Sequence, residues 1–185
     1  MPDPAPSLAQ LLAALKRDAG SSDKALPPVD QWNPAQCGDI GMEILADGTW
    51  RHEGTPIARE SLVRLFASIL RKDADGATWL VTPAEKVAVD VADAPFLAVR
   101  ADRAGAGPDQ TILFTTNVGD VLPLDPAYPL RVTHSASGEP RPYVLVRGRL
   151  EARILRAPWR ELAEWGEERE GSWGVWSGGA WWELG

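Results

Sequence analysis

Arginine has the clearest chemical reach in this chain, and its spacing is uneven. From Arg131 to Arg160 there are seven arginines and two acids, Glu139 and Glu151, a local +5 in a chain of net charge −7. Within that stretch, residues 143–154 alternate as an extended strand does. Tyr143, Leu145, Arg147, Arg149, Glu151 and Arg153 fall on one side, and Val144, Val146, Gly148, Leu150, Ala152 and Ile154 on the other. The second set reads as a core face and the first as a guanidinium stripe. Guanidinium is planar and donates in pairs, which matches phosphate or carboxylate oxygens. An ordinary solvated face gives the same pattern. A basic patch in an acidic chain suits a small anion, and the overall charge argues against a long nucleic acid.

Two polar turns add donors and acceptors. Thr82-Pro83-Ala84-Glu85-Lys86 carries a hydroxyl, a carboxylate and an ammonium that could face one ligand, or form a surface turn closed by a Glu–Lys pair. Thr115-Thr116-Asn117 could read a base edge or a ribose, or bond only to itself. Six of the nine tryptophans lie from Trp159 onward. They suit the core of a small barrel, a base-stacking surface or a protein contact.

No catalytic constellation is legible. The two histidines, His52 and His134, have no partner at metal-ligand spacing. Neither a Walker-type phosphate loop nor a nucleophile elbow is present. Cys37 has no neighbouring cation to lower its thiol pKa. Asp39 and Glu43 could hold a hard metal and support phosphoester hydrolysis, or be solvated carboxylates. No cofactor is implied.

The elements that must carry these groups follow from local patterning. At 185 residues the chain can bury roughly 70% of its unfolded surface. A single cysteine rules out an internal disulfide. The N-terminus shows no secretory signal, and no apolar run is long enough to span a membrane, so the expected compartment is the cytoplasm. Ser7 caps an expected helix from Leu8 to about Asp18, whose Leu8, Leu11, Leu12 and Leu15 form one stripe. A linker follows, giving residues 1–28 as an N-terminal helix and linker. Asp47-Gly48 predicts a type I′ hairpin turn between 42–46 and 49–53. Leu62, Leu65, Phe66, Ile69 and Leu70 predict one amphipathic helix over 59–72. Strands are expected over 78–81, 86–91, 96–100, 111–115, 121–124, 130–133 and 143–154. A helix from Pro158 to Trp165 and a hairpin turning at Gly178-Gly179 complete the chain.

Ile57-x-Arg59-x-x-Leu62-x-x-Leu65 echoes Ile154-x-Arg156-x-x-Trp159-x-x-Leu162, which suggests a duplicated strand–helix unit or chance amphipathic patterning. A wider set of runs appears in order. These are Trp32-Asn33-Pro34-x-x-Cys37-Gly38-Asp39-Ile40, Gly54-Thr55-Pro56-Ile57-x-Arg59 and Leu80-Val81-Thr82-Pro83-x-Glu85-Lys86. Asp93-Ala94-Pro95-Phe96, Phe114-x-Thr116-Asn117 and Glu139-Pro140-Arg141-Pro142-Tyr143-x-x-Val146-Arg147 follow. Together, from about Val29 to the C-terminus, they resemble the bacterial family catalogued as domain of unknown function 1285. The resemblance implies two similar α+β subdomains of antiparallel sheet plus helix, the second like a pleckstrin-homology barrel. It also implies a ligand site where they meet, a nucleotide-based ligand and a signalling role. The subdomains are expected at 29–96 and 97–185.

The reading is of a non-enzymatic sensor for a small anionic, nucleotide-like ligand. Arg59, Lys86, Arg141 and Arg147 are expected to neutralise phosphate. Asn117 and Tyr143 would orient the organic part, with Thr82 and Glu85 beside them. The competing classes are a protein-interaction module using the Leu8–Leu15 helix or the Trp-rich tail, and the metal-dependent hydrolase above.

Overall fold

A computed structural model describes residues 25–185; the expected Leu8–Asp18 helix lies outside them. The chain divides into two compact units, Met1–Ala92 and Asp93–Gly185.

In the first unit a 3₁₀ turn, Val29–Gln31, leads into β1 (Gln36–Ile44), β2 (Trp50–His52) and β3 (Thr55–Pro56). Helix α1 (Glu60–Ser68) follows, then β4 (Leu70–Lys72), β5 (Thr78–Val81) and β6 (Glu85–Val91). These six strands form one sheet in the order β3-β2-β1-β6-β5-β4. Each group of three is an antiparallel meander, and the meanders join where β1 runs parallel to β6. Val87 and Val89 are buried, as the alternation in β6 requires. Trp50, 1% exposed, stacks on Phe66 of α1 at 5.9 Å and ties helix to sheet.

Two local expectations change. The hairpin at Asp47-Gly48 is present, but Leu45 N–H bonds to the Thr49 carbonyl and Gly48 N–H to the Leu45 carbonyl. Gly48 has φ of 85° and Asp47 does not have positive φ, so this is a three-residue loop closed by a left-handed glycine. The type I′ turn is the next one, Glu53-Gly54, with φ of 48° and 77°. The helix also stops earlier than its apolar spacing suggests. Ile69 leaves helical geometry and Leu70 pairs with Leu80 in the sheet. Ser68 Oγ donates to the Leu65 carbonyl at 2.6 Å, a local bond of the kind that competes with helix continuation. Ile69 and Leu70 are both buried, so strand pairing satisfies their backbone without exposing them.

The second unit repeats the topology. Its strands are β7 (Phe96–Ala104), β8 (Thr111–Thr116), β9 (Val121–Pro123), β10 (Leu130–His134), β11 (Pro140–Arg147) and β12 (Leu150–Ile154). Their order is β10-β11-β12-β7-β8-β9, with β12 parallel to β7. Here too the first strand of the first meander pairs with the last strand of the second. The two units are therefore similar α+β subdomains. The echo at Ile57 and Ile154 is not that repeat. The helix after Ile57 joins the two meanders of the first unit, whereas α2 (Arg156–Glu164) follows the second meander.

The stretch 143–154 is not one strand. Gly148, with φ of 53°, turns the chain at Gly148-Arg149, and β11 and β12 pair antiparallel with a bulge between Leu145 and Arg147. After α2 come β13 (Glu167–Arg169), β14 (Ser172–Ser177) and β15 (Ala180–Glu183), a three-stranded antiparallel sheet turning at Gly178-Gly179 as expected. Buried Gln110 Nε2 donates to the Trp176 carbonyl at 2.7 Å, and Ile112 N–H donates to buried Ser177 Oγ at 2.9 Å. These bonds fix the small sheet against β8. The late tryptophans do not fill the unit's core, which is built from Phe96, Ile112, Phe114, Leu124, Val144, Ile154 and Leu162. Trp159 lies in α2 and Trp165 at its C-terminal end, while Trp173, Trp176, Trp181 and Trp182 belong to the small sheet, where Trp173 is 44% exposed.

Gly174 of this sheet and Gly166 just before it are set by those rings. A Cβ on Gly174 would stand 2.5 Å from the Trp181 ring and 2.6 Å from the Trp182 carbonyl oxygen. One on Gly166 would stand 2.6 Å from Trp173 Nε1. Gly174→Ala is expected to cost about 2 kcal/mol by overpacking. Gly179→Ala has open space around it and a φ of 74°, so it carries only the left-handed backbone cost, about 1 kcal/mol. Urea unfolding of both variants checks the order.

Candidate functional site

The best-defined polar constellation lies on one face of the β10–β11–β12 meander. Residues directly opposite in an antiparallel pair share a face. Arg131 stands opposite Tyr143, Thr133 opposite Arg141, Tyr143 opposite Arg153 and Leu145 opposite Glu151. The guanidinium of Arg131 lies over the Tyr143 ring at 4.5 Å and makes a two-pronged pair with Glu151 at 2.8 and 2.7 Å. The Tyr143 hydroxyl donates to Asp93 Oδ1 at 2.7 Å, and Arg153 Nη1 donates to Asp93 Oδ2 at 3.1 Å. Asp93 comes from the segment just before β7, which the parallel pairing places beside β12.

This face carries Arg131, Arg141 and Arg153 against Asp93 and Glu151. Arg141 is exposed and enters no ion pair among the described residues. The side chain of Arg131 is 50% exposed and that of Arg153 34%, so both can turn toward an added anion. Arg131, Arg153 and Asp93 were missing from the expected site. Arg153 was in the stripe, but its link to Asp93 needs the parallel register, which no local pattern encodes.

A second, closed network occupies the equivalent meander of the first unit. Arg71 stands opposite Trp79, as Arg131 stands opposite Tyr143. Asp73 takes Arg71 Nε at 2.7 Å and Lys86 Nζ at 3.2 Å, and Lys86 lies over the Trp79 ring at 4.2 Å. Arg71 Nη1 also donates to the carbonyls of Val29 at 2.9 Å and Trp32 at 2.6 Å, holding the 3₁₀ turn. Burial pushes the Asp73 carboxyl up, but the bonds and charges of Arg71 and Lys86 outweigh it and hold it below its ordinary range.

The sequence-selected residues therefore divide. Arg141 and Tyr143 share the β10–β12 face. Arg147 falls out of phase with Tyr143 at the bulge; it pairs with Asp120 at 3.2 Å and lies over Phe96 at 5.0 Å. Asp120 closes the turn that carries Asn117. Asn117 itself is joined to β7: its N–H donates to the Leu97 carbonyl at 2.8 Å and its Oδ1 accepts Leu97 N–H at 3.0 Å. The Thr82 hydroxyl is buried and used by its own turn, donating to the Glu85 carbonyl and accepting the Ala84 and Glu85 N–H groups. Glu85 and Lys86 are consecutive in β6 and point to opposite faces, so that turn does not gather three groups on one ligand. Arg59 caps α1, exposed, with Nε donating to Ser61 Oγ at 3.1 Å. Asp39 Oδ1 accepts Gly41 N–H at 2.8 Å.

Comparison with known proteins agrees with this architecture. Residues 27–94 match the family described as "Domain of unknown function (DUF1285), N-terminal domain", and residues 95–184 match "Protein of unknown function (DUF1285), C-terminal domain". No match is found among curated proteins. The chain is similar to the crystal structure of a DUF1285 family protein from Silicibacter pomeroyi DSS-3. That likeness has 45% identity and a TM-score of 0.84, and covers 94% of this chain and 93% of that one. A DUF1285 family protein from Shewanella baltica OS155 is similar at 28% identity and a TM-score of 0.54, over 68% of this chain and 91% of that one. The chain belongs to the DUF1285 family.

The two networks predict opposite pH signatures. Burial, then the bond to Asp93 and its charge, raise the Tyr143 phenol above its ordinary value. A raised phenol stabilises the fold while protonated, so that stabilisation is whole below pH about 10 and is lost as pH rises past the folded value. Tyr143→Phe should cost about 1.5 kcal/mol at neutral pH, and its melting temperature should fall less steeply than wild type at alkaline pH. Asp73, held low, contributes above its unfolded value of about 3.9 and loses that contribution as pH falls. Asp73→Asn should lower the melting temperature at pH about 7, and the deficit should shrink as pH falls below about 4. Thermal melts across pH check both.

Proposed function

We propose that this protein is a non-catalytic cytoplasmic sensor of a small phosphate-bearing, nucleotide-like ligand, acting in signal transduction. The supporting observation is the exposed guanidinium of Arg141, which enters no ion pair among the described residues, on a face that already holds Arg131 and Arg153. A phosphate there would meet Arg141 directly and share the exposed edges of its two neighbours, as charge-assisted bidentate pairing favours. The Tyr143 hydroxyl already donates to Asp93. Its part in the reading is to hold the ring that carries Arg131, and not to donate to the ligand. The side chains of Lys86 and Arg147 are only 19% and 22% exposed in their pairs with Asp73 and Asp120, against 50% and 34% for Arg131 and Arg153 in theirs, so phosphate neutralisation is assigned to Arg131, Arg141 and Arg153 instead.

No helix among the described residues is long and apolar enough to cross a membrane. Among the described residues no three histidine, cysteine, aspartate or glutamate side chains gather in a metal-holding group. The hydrolase reading therefore has only Asp39 and Glu43 behind it and is not adopted.

A thermal-shift panel of mono-, di- and cyclic nucleotides tests the reading, with nucleosides and inorganic phosphate as controls. A ligand at about 100 times its Kd adds roughly 2.7 kcal/mol of stability. At least one nucleotide should raise the midpoint while its nucleoside does not. Arg141→Ala should abolish that shift and leave the unliganded midpoint within about 0.5 kcal/mol of wild type, since the side chain is exposed. No shift from any phosphate compound, or a shift unchanged in Arg141→Ala, rejects it.

A further inference from the structure

The small sheet β13–β15 presents an outward aromatic face that the reading above does not use. Trp176 and Trp181 stand opposite each other across β14 and β15, with ring centroids 5.4 Å apart in an edge contact. The Trp181 ring lies across Gly174, which is why no Cβ fits there. Trp176 Nε1 donates to Glu167 at 3.1 Å, which fixes that ring in place. The register puts Glu167, Arg169, Trp176, Trp181 and Glu183 on this one face.

The surface already binds guanidinium from its own chain. Arg169, on the same face, lies over Trp176 at 4.9 Å and over Trp181 at 5.8 Å. Its charge is opposite to that of the anion face. The face itself carries Glu167 and Glu183 against Arg169, and Glu170, in the turn after β13, approaches Arg169 at 4.0 Å. Glu183 is exposed and enters no ion pair among the described residues, whereas Glu168 stands opposite Trp173 on the other face of the sheet. Indole faces with adjacent carboxylates favour a cation that is both planar and charged, and guanidinium meets both demands better than a strongly hydrated ammonium.

We propose that the outer face of β13–β15 docks an arginine-bearing basic segment of a partner protein, its guanidinium groups stacking on Trp176 and Trp181 beside Glu183. The occupant is defined by stacking as well as by charge, so a lysine segment of equal charge is a poor substitute.

The test titrates the full-length chain with a peptide of alternating glycine and arginine and with its lysine counterpart, read by calorimetry and tryptophan fluorescence. The arginine peptide should bind about tenfold more tightly and quench or shift the indole emission. Trp181→Phe should retain the preference and Trp181→Ala should lose it. Glu183→Gln, on an exposed unpaired side chain, should weaken binding about threefold and keeps the test valid if Trp181→Ala does not fold. Equal affinity for both peptides overturns the proposal, as does the absence of binding or indifference to Trp181→Ala and Glu183→Gln. A dimer in sedimentation that Trp181→Phe retains and Glu183→Gln abolishes also overturns it, in favour of a second copy of this chain. Nucleotide-induced shifts are a separate readout, so either proposal can fail alone.

Discussion

Each unit depends on one parallel strand pair at the centre of its sheet. In the first, β1 and β6 pair residues some fifty positions apart, such as Gln36 with Glu85. In the second, β7 and β12 pair Phe96 with Ala152. A hairpin cannot join parallel neighbours, so the intervening chain must act as the crossover. Here that crossover is itself four strands of the same sheet. The pair forms only once both meanders are in place, and its loop-closure entropy must be met by the hairpins' own contacts. The anion face inherits this dependence. Asp93 reaches Tyr143 and Arg153 because β12 lies beside β7, and without that pairing the two residues would lack their shared carboxylate.

The local charge excess around residues 131–160 overstates the charge available to a ligand. Arg131, Arg147, Arg153 and Arg160 are paired with Glu151, Asp120, Asp93 and Glu164, and three of those carboxylates come from outside the run, two of them, Asp93 and Asp120, far from their partners in sequence. Those two acids are distant in sequence and adjacent in the fold. What distinguishes the β10–β12 face is therefore the placement of Arg141 beside two guanidiniums that are paired yet partly exposed.

Much of the architecture was legible locally. Alternation found β6, the strands expected at 78–81 and 111–115 correspond to β5 and β8, and the glycine pair found the last hairpin. The reading failed where two patterns fit the same residues. Ile69 and Leu70 continue the helical spacing of Leu62 and Leu65, yet they also pair with β5, and only the tertiary partner decides between the two. The β11–β12 hairpin is subtler. A two-residue turn alone would pair residues so that odd positions on one strand met even positions on the other. The bulge at Val146 adds one residue and restores the parity, so Tyr143, Leu145, Glu151 and Arg153 share a face as they would along one unbroken strand. The face was read correctly for those four and the strand was not. Arg147, beyond the bulge, was misplaced for the same reason.

The two halves carry the same physical device to different ends. In both, an arginine on the outer strand of the second meander stands opposite an aromatic ring on the next, with a carboxylate bridging to a further cation. In the first unit Asp73 serves both cations, and the spare donors of Arg71 go to the carbonyls of Val29 and Trp32. The charged groups there are matched to one another, so the cluster clasps the chain, although the buried Trp79 Nε1 has no hydrogen-bond partner among the described residues. In the second unit the arginines on that face outnumber the carboxylates, and Arg141 stands in solvent. The repeated scaffold therefore does not repeat its charge balance: among the described residues the first cluster pairs its cations with Asp73, and the second leaves Arg141 outside any ion pair.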